Sequence, residues 1–156
     1  QTGSIDATEW VGPYDDEKLG FFKVAKNYYY PGWWEPGPSL SFYVNRKAWD
    51  SLPSAYQAAF QQAAMASGMT MQNRYDARNP AALKRLLAQG VQMRPFPEDL
   101  MAAAQAESQA MLEEEASKDE QYRAVYEHWK AYRKEAFAWF STAELAYAQA
   151  AFRRSP

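Results

Sequence analysis

The sequence has no cysteine among its 156 residues and only one histidine, which excludes several kinds of site. Without thiols the chain can form no disulfide, no thiolate zinc site and no cysteine nucleophile. His128 lies in a charged segment, YEHWK, with no second histidine to complete a metal site. A surface or packing role is therefore the better interpretation of His128.

An excess of charge of one sign is also lacking, because 17 Lys and Arg residues are balanced by 19 Asp and Glu residues. The basic residues are spread along the chain and form no stripe, which argues against a nucleic-acid partner. No apolar run approaches the roughly 18 residues of a membrane span. The sequence contains no glycine-rich phosphate loop, no H-E-x-x-H and no G-x-S-x-G, so the commonest motif-bearing enzyme classes find no support.

Aromatic residues are what the sequence has in excess, with six Trp, eleven Tyr and eight Phe. The mean hydropathy is nevertheless −0.63, so the rings are interspersed among many charged and polar residues. This combination is typical of a ligand cleft or an interface, and an aromatic core explains it almost as well.

The chain changes character near Arg46, from a broken, aromatic part to a helical, alanine-rich part. We therefore predict loops with a strand over 1–45 and a mostly helical part over 46–156. In the first part Gly and Pro recur, so only a short helix from about Asp15 to Lys26 is expected. Leu40–Asn45, LSFYVN, is predicted to form a buried strand because it is rich in β-branched and aromatic residues.

The helical part begins with a long helix near Pro53, which Asn79-Pro80 is expected to stop. A shorter helix, AALKRLLAQG, is then expected to end at Gly90, and VQMRPF to form a short extended segment. Pro97 is predicted to begin another helix, with acidic residues in its first turn.

The last part of the chain carries an aromatic stripe that follows an acidic run, EEEASKDE, with a joint expected near Ser117. A capping-box pattern at Ser141 and Glu144 predicts that a final helix restarts there. A stripe this long needs a partner surface. Its members recur at steps of three and four and are Tyr122, Val125, Tyr126, Trp129, Tyr132, Ala136, Phe137 and Phe140.

Two carboxylates occupy unusual settings, Glu9 in TEWVGP and Glu35 in WWEPG. Each adjoins a Trp and lies close to Gly or Pro, on a loop from which a side chain can reach into a cleft. Three interpretations remain open from this pattern alone. The pair could be the general acid and base of a glycosidase, ligands for a hard cation, or structural groups held by backbone N–H groups in turns.

At these segments the sequence resembles the DctP-type periplasmic solute-binding proteins of tripartite ATP-independent periplasmic (TRAP) transporters, and most closely the branch that binds 2-oxo acids and lactate. The resemblance is carried by GSIDATEWVGPYDD, LGFFKVAKNYYYPGWWEPGPSLSFYVN and AWDSLPSAYQAAF, which span Gly3 to Phe60 almost without a gap. Its specific part is Glu-Trp followed by Val-Gly-Pro, and then Trp-Trp-Glu-Pro-Gly at a fixed distance.

The resemblance implies a periplasmic binding protein, not an enzyme, that closes over an organic acid by hinge motion and docks on membrane permease subunits. The implied architecture is α/β and helix-rich, the C-terminal part of a two-lobe periplasmic-binding-protein fold with few strands and a long C-terminal helix. In it, residues 1–45 would supply cleft loops and a hinge or sheet strand, and residues 46–156 would be mostly helical. The arginine with which the family pairs the substrate carboxylate has no counterpart here, so we expect the chain to be the C-terminal portion of such a protein.

The resemblance also implies a sodium or calcium ion in the cleft. Carried onto this sequence, the expected metal ligands are the Glu9 carboxylate, the Trp10 main-chain carbonyl and Glu35. The expected substrate contacts are Trp10, Glu35, Trp34 and Tyr30. A cation between these carboxylates and an acid ligand would remove the repulsion that otherwise opposes binding.

A homodimer through the C-terminal helix, carrying the Tyr122 to Phe140 stripe, is a further expectation from the resemblance. Two alternatives from other classes stay open beside the receptor. One is a glycoside-acting enzyme or a carbohydrate-binding module that uses Glu9 and Glu35. The other is a helical dimerisation domain without a ligand.

Overall fold

The structure is a computed structural model that describes residues 3–35 and 37–153. The chain divides into two compact units, with the boundary between Pro97 and Glu98. The first unit contains α1 (Pro13–Leu19), a 3-10 turn (Phe21–Lys23), β1 (Asn27–Tyr30), α2 (Arg46–Asp50), α3 (Ser54–Ala88) and β2 (Gln92–Pro95). The second contains α4 (Glu98–Lys118), α5 (Glu120–Phe140), a π-helical segment (Ser141–Leu145) and α6 (Ala146–Phe152).

The short helix α1 begins with Pro13 in its first turn, followed by two aspartates that interact favourably with the helix dipole. Gly20 ends it with a φ of 75°, a left-handed conformation that glycine adopts without steric cost. The single helix predicted over Asp15–Lys26 is therefore wrong. Gly20 interrupts it, and only a 3-10 turn follows at Phe21–Lys23.

The long helix α3 runs for 35 residues and continues through Pro80, so the predicted stop at Asn79-Pro80 is wrong. A proline removes one helical hydrogen bond, but it does not prevent a helix whose following turns are packed. Ala82 and Leu86, in those turns, are buried. Gly90, with a φ of 85°, lies just beyond the helix end as predicted.

The two strands form a parallel pair in which Asn27 is opposite Gln92 and Tyr30 is opposite Pro95. A parallel pair needs a long crossover connection, and here the intervening chain includes α2 and α3. The extended segment predicted at VQMRPF is confirmed as β2, whereas β1 was not predicted. Two strands among helices agree with the predicted helix-rich α/β class.

The strand predicted at Leu40–Asn45 is wrong, since this segment is not in a strand. Leu40, Phe42 and Tyr43 are exposed, Tyr43 almost completely at 93%. A strand needs a neighbour to pair its backbone groups. Within the described residues neither strand of the sheet pairs with this segment, so its backbone groups have no ladder partner.

In the second unit α5 folds back along α4, and the predicted joint near Ser117 is confirmed at Asp119. The Asp119 side chain accepts a hydrogen bond from the Tyr122 N–H (2.7 Å) and so caps α5. Glu113 of α4 accepts hydrogen bonds from Tyr126 Oη and Lys130 Nζ, both at 3.0 Å. Tyr126 is the one stripe residue classed as buried.

The capping box predicted at Ser141 and Glu144 is wrong, because the chain stays helical from Glu120 to Phe152. Ser141 Oγ donates to the Ala138 carbonyl (3.1 Å), as does Thr142 Oγ1 (3.0 Å). Both hydroxyls thus bond back to the preceding turn and do not cap a new helix. Among the described helices, none combines the length and apolar character that crossing a membrane requires.

Candidate functional site

The Glu9–Trp10 segment leads directly into α1, whose position is fixed by side chains of α3. Because α1 begins at Pro13, three residues after Trp10, these contacts also fix one end of the segment. Four sets of hydrogen bonds join the two helices: the Tyr14 N–H with Asn79 Oδ1 (3.0 Å), the Arg78 guanidinium with Tyr14 Oη, Tyr75 Oη with Asp15 Oδ2 (2.5 Å), and the Arg85 guanidinium with both carboxylate oxygens of Glu17 (2.6 and 2.7 Å).

Asp16 is the only buried charged residue that the structure describes, with 6% of its surface exposed. Its Oδ2 accepts a hydrogen bond from Tyr28 Oη, while its buried Oδ1 has no partner among the described residues. Burial raises the pKa of Asp16, the Tyr28 hydrogen bond lowers it, and the nearby carboxylates of Asp15 and Glu9 raise it further. The same burial, with the Asp16 contact, raises the pKa of Tyr28.

Replacing Asp16 by asparagine is expected to raise the free energy of unfolding relative to wild type increasingly as pH rises above the usual pKa of an aspartate. The pKa of Asp16 is raised in the folded state, so its contribution to stability is complete below the unfolded pKa and is lost as pH rises through the folded pKa. Asparagine does not titrate. Urea unfolding of both proteins at several pH values, without added sodium or calcium, measures the difference, and a pH-independent difference contradicts the prediction.

The second predicted segment, Tyr30 to Glu35, follows β1 directly and is anchored by Phe96. The Tyr30 carbonyl accepts a hydrogen bond from the Phe96 N–H (2.8 Å). The Phe96 ring stacks on Tyr29 at 5.2 Å between centroids and meets the Trp34 ring edge-on at 6.2 Å. Sequence analysis missed Phe96. The available signal was an aromatic residue ending an extended segment immediately before Pro97.

Glu9 and Glu35 are both exposed, and neither carboxylate forms a hydrogen bond or ion pair within the described residues. Trp10, Trp34 and Tyr30 are also exposed, at 57%, 46% and 43%. The interpretation in which turns hold the two carboxylates through backbone N–H groups therefore has no support in the described part of the chain. Both carboxylates are available to an external partner.

A cation would find oxygen donors of suitable chemistry here, because carboxylates and main-chain carbonyls are the ligands of sodium and calcium. Residues 3–35 and 37–153 contain no group of three acidic, histidine or cysteine side chains placed to hold a metal ion. Calcium takes about six to eight oxygen ligands. The oxygen donors of Glu9, Trp10 and Glu35 are thus of the right chemistry for such an ion. Further oxygen donors, from a ligand or from other residues, would have to complete its coordination.

A separate groove of about 640 Å³ lies between α1 and α3. It contains none of the predicted site residues. Three of its four charged lining residues are basic, since Lys18, Arg74 and Arg78 accompany Asp15. The tyrosine Tyr14 has a pKa lowered by Lys18, against an opposing effect of desolvation, and lowered further by Arg78.

Comparison with known proteins places residues 1–119 in a family described as bacterial extracellular solute-binding protein, family 7. A monocarboxylate 2-oxoacid-binding periplasmic protein of Nostoc sp. is 55% identical over 145 residues. That match includes 93% of this chain and 40% of the relative. The chain thus spans about two fifths of the length of this curated relative.

Solved structures similar to this chain are TRAP transporter solute-binding proteins. One from Bordetella bronchiseptica is 47% identical with a TM-score of 0.93, over 97% of this chain and 45% of that protein. It is a mixed-occupancy dimer, with calcium and picolinate in one active site and the other site apo. The high TM-score confirms the predicted fold class.

Two further structures contain pyruvate, and each is 36% identical to this chain over 94% of it and 45% of the other protein. The protein from Colwellia psychrerythraea has a TM-score of 0.88 and holds calcium with the pyruvate. The protein from Pseudoalteromonas atlantica has a TM-score of 0.86 and holds sodium with the pyruvate.

Proposed function

Because the chain belongs to bacterial extracellular solute-binding protein family 7, we propose that it is part of a TRAP-transporter receptor for 2-oxo acids such as pyruvate. The observation that carries the proposal is the pair of carboxylates, Glu9 and Glu35, each beside a tryptophan and without a partner among the residues that the structure describes. The identity of 55% to a 2-oxoacid-binding protein supports the ligand class. The receptor would act in the periplasm and deliver its ligand to membrane permease subunits, without catalysing a reaction.

In this proposal Glu9, the Trp10 carbonyl and Glu35 are the metal ligands that this chain supplies. A bound sodium or calcium ion would supply the positive charge that allows an anionic ligand to approach two carboxylates. The substrate position would be lined by Glu35 and by three aromatic residues, Trp10, Trp34 and Tyr30. The aromatic rings would exclude water from the bound acid. Phe96 holds Trp34 and the end of β1 in place for this task.

The test is a titration of tryptophan fluorescence in the whole polypeptide that the gene encodes. Pyruvate and other 2-oxo acids are added with sodium, with calcium and with neither ion. The proposal expects a saturable change that requires one of the ions. A response to sugars, or no response to any organic acid, would reject it.

We also propose that the receptor forms a homodimer through the aromatic face of α5. Trp129 and Tyr132 are exposed on this helix, at 43% and 65%, together with Val125 and Phe137. Exposed apolar patches of this kind mark interaction surfaces. The Bordetella relative is a dimer, which supports a second copy of the protein as the partner of this surface.

The Trp129→Glu, Tyr132→Glu double variant is expected to convert the dimer to a monomer, because it places two charges in an apolar contact. Sedimentation velocity of the whole encoded polypeptide measures the change. The matched control is Ala124→Glu with Ala131→Glu, which adds the same charge about 120° around α5 from the Trp129–Tyr132 face. If both double variants remain dimers, the α5 interface is rejected.

A further inference from the structure

We propose that Asp16 and Tyr28 are positioning residues that hold the Glu9–Trp10 segment and the Tyr30–Glu35 segment in register with each other. This inference rests on the proposed function. Neither residue needs to touch the ion or the acid. Their hydrogen bond would set where the oxygen donors of the two segments stand relative to one another.

The bond lies close to both segments along the chain. Asp16 is in α1, six residues after Trp10, and the helix between them begins at Pro13. Tyr28 is in β1, two residues before Tyr30. Within the described residues the contact of Tyr28 Oη with Asp16 Oδ2 is the only hydrogen bond that joins α1 to β1.

Each partner belongs to an element that is held by a different neighbour. The helix α1 is held on α3 by the Arg85 pair with Glu17 and by the Tyr75 contact with Asp15. The strand β1 is held by its parallel pairing with β2. Because each element is already ordered, a hydrogen bond between them costs little conformational entropy and sets the position of one element relative to the other.

Burial makes this contact sensitive to removal of either partner. Asp16 is 94% buried, so water has little access to replace a lost hydrogen bond at Oδ2, and Oδ1 already lacks a partner in the described structure. A buried carboxyl group without any partner is strongly disfavoured. Removing the Tyr28 hydroxyl should therefore move α1 relative to β1 so that Asp16 reaches water, and this movement would separate the two segments.

The experiment compares Tyr28→Phe with wild type in the whole encoded polypeptide. Tyr28→Phe keeps the ring and removes only the hydroxyl. We expect it to raise the ion concentration needed for half-maximal pyruvate binding by about 10-fold, the lower end of what outer-shell changes cost at metal sites. Saturating ion should restore pyruvate binding, because the ion itself can draw the donors together.

Two variants serve as matched comparisons. Asp16→Asn keeps an oxygen that accepts from Tyr28, so we expect an ion requirement within about 3-fold of wild type. Tyr29→Phe removes the neighbouring hydroxyl, which makes no hydrogen bond within the described residues, and leaves the stack on Phe96 intact. It should bind ion and pyruvate as wild type does.

An ion-free readout separates positioning from general stability. Hydrogen–deuterium exchange without sodium or calcium should be faster in Tyr28→Phe at both 5–11 and 32–35, and unchanged in Tyr29→Phe. A loss of melting temperature with unchanged exchange at these segments and an unchanged ion requirement would overturn the positioning role. If wild type itself binds no 2-oxo acid with either ion, the proposed function fails instead.

Discussion

Replacing Glu9 by glutamine is expected to lower pyruvate affinity in sodium or calcium by about 100-fold or more, and to remove its dependence on the ion. Replacing residues that only hydrogen-bond to metal ligands already lowers metal affinity by about 10- to 100-fold. Glu9 would be a direct ligand, and glutamine keeps its size but removes the charge that attracts the cation. Fluorescence titration of the whole encoded polypeptide at several ion concentrations measures both effects.

The matched control for Glu9→Gln is Asp6→Asn. Asp6 is an exposed carboxylate three residues earlier, and its replacement removes the same single charge from the same segment. It should leave pyruvate binding within about 2-fold of wild type, because charges exposed to water are well screened. Equal losses in the two variants would show a general effect of charge on the segment and would contradict a ligand role for Glu9.

The candidate site was predictable to the extent that its residues are local in sequence. Glu9 with Trp10, and Trp34 with Glu35, lie in two short motifs that can be identified by resemblance without any knowledge of the fold. Whether they bind an ion stays a prediction, although both carboxylates are free of partners within the described residues. Their exposure also agrees with placement on loops.

The residues that support the site were not predictable, because each depends on a long-range contact. Asp16 and Tyr28 meet across 12 residues, and Phe96 reaches the Tyr30 carbonyl across 66. In the sequence Asp16 is simply one of two acidic residues in a first helical turn. Only the packing of α1 beside β1 makes it a buried carboxyl group with a raised pKa.

The errors in the fold have the same origin. Pro80 is a valid local signal for a helix end, and burial of Ala82 and Leu86 outweighs it. The β-branched and aromatic residues of Leu40–Asn45 are a valid local signal for a strand, but a strand forms only where a neighbour offers backbone partners. By contrast, Gly90 and the helix start after Pro97 depend on local geometry alone, and both predictions are confirmed.

Replacing Leu86 by alanine is expected to lower the free energy of unfolding by about 2–5 kcal/mol, the range for large-to-small changes in a core. Leu86 is the only large side chain that the structure describes as fully buried, at 1% exposure. It lies in the turn of α3 that leads into β2, where its carbonyl accepts a hydrogen bond from the Val91 N–H (3.2 Å). A cavity there would weaken both the end of α3 and the approach to the sheet.

The control is the same substitution at the neighbouring residue, Leu87→Ala. It removes the same three carbon atoms from a side chain that is 45% exposed. Leu87→Ala should cost about 1 kcal/mol or less, as is usual for substitutions with access to water. Urea unfolding of the whole encoded polypeptide measures both variants, and their slopes with denaturant should match that of wild type. Burial is the property in which these two leucines differ. Equal losses of unfolding free energy in the two variants would therefore contradict the assignment of Leu86 as the core residue that stabilises α3 beyond Pro80.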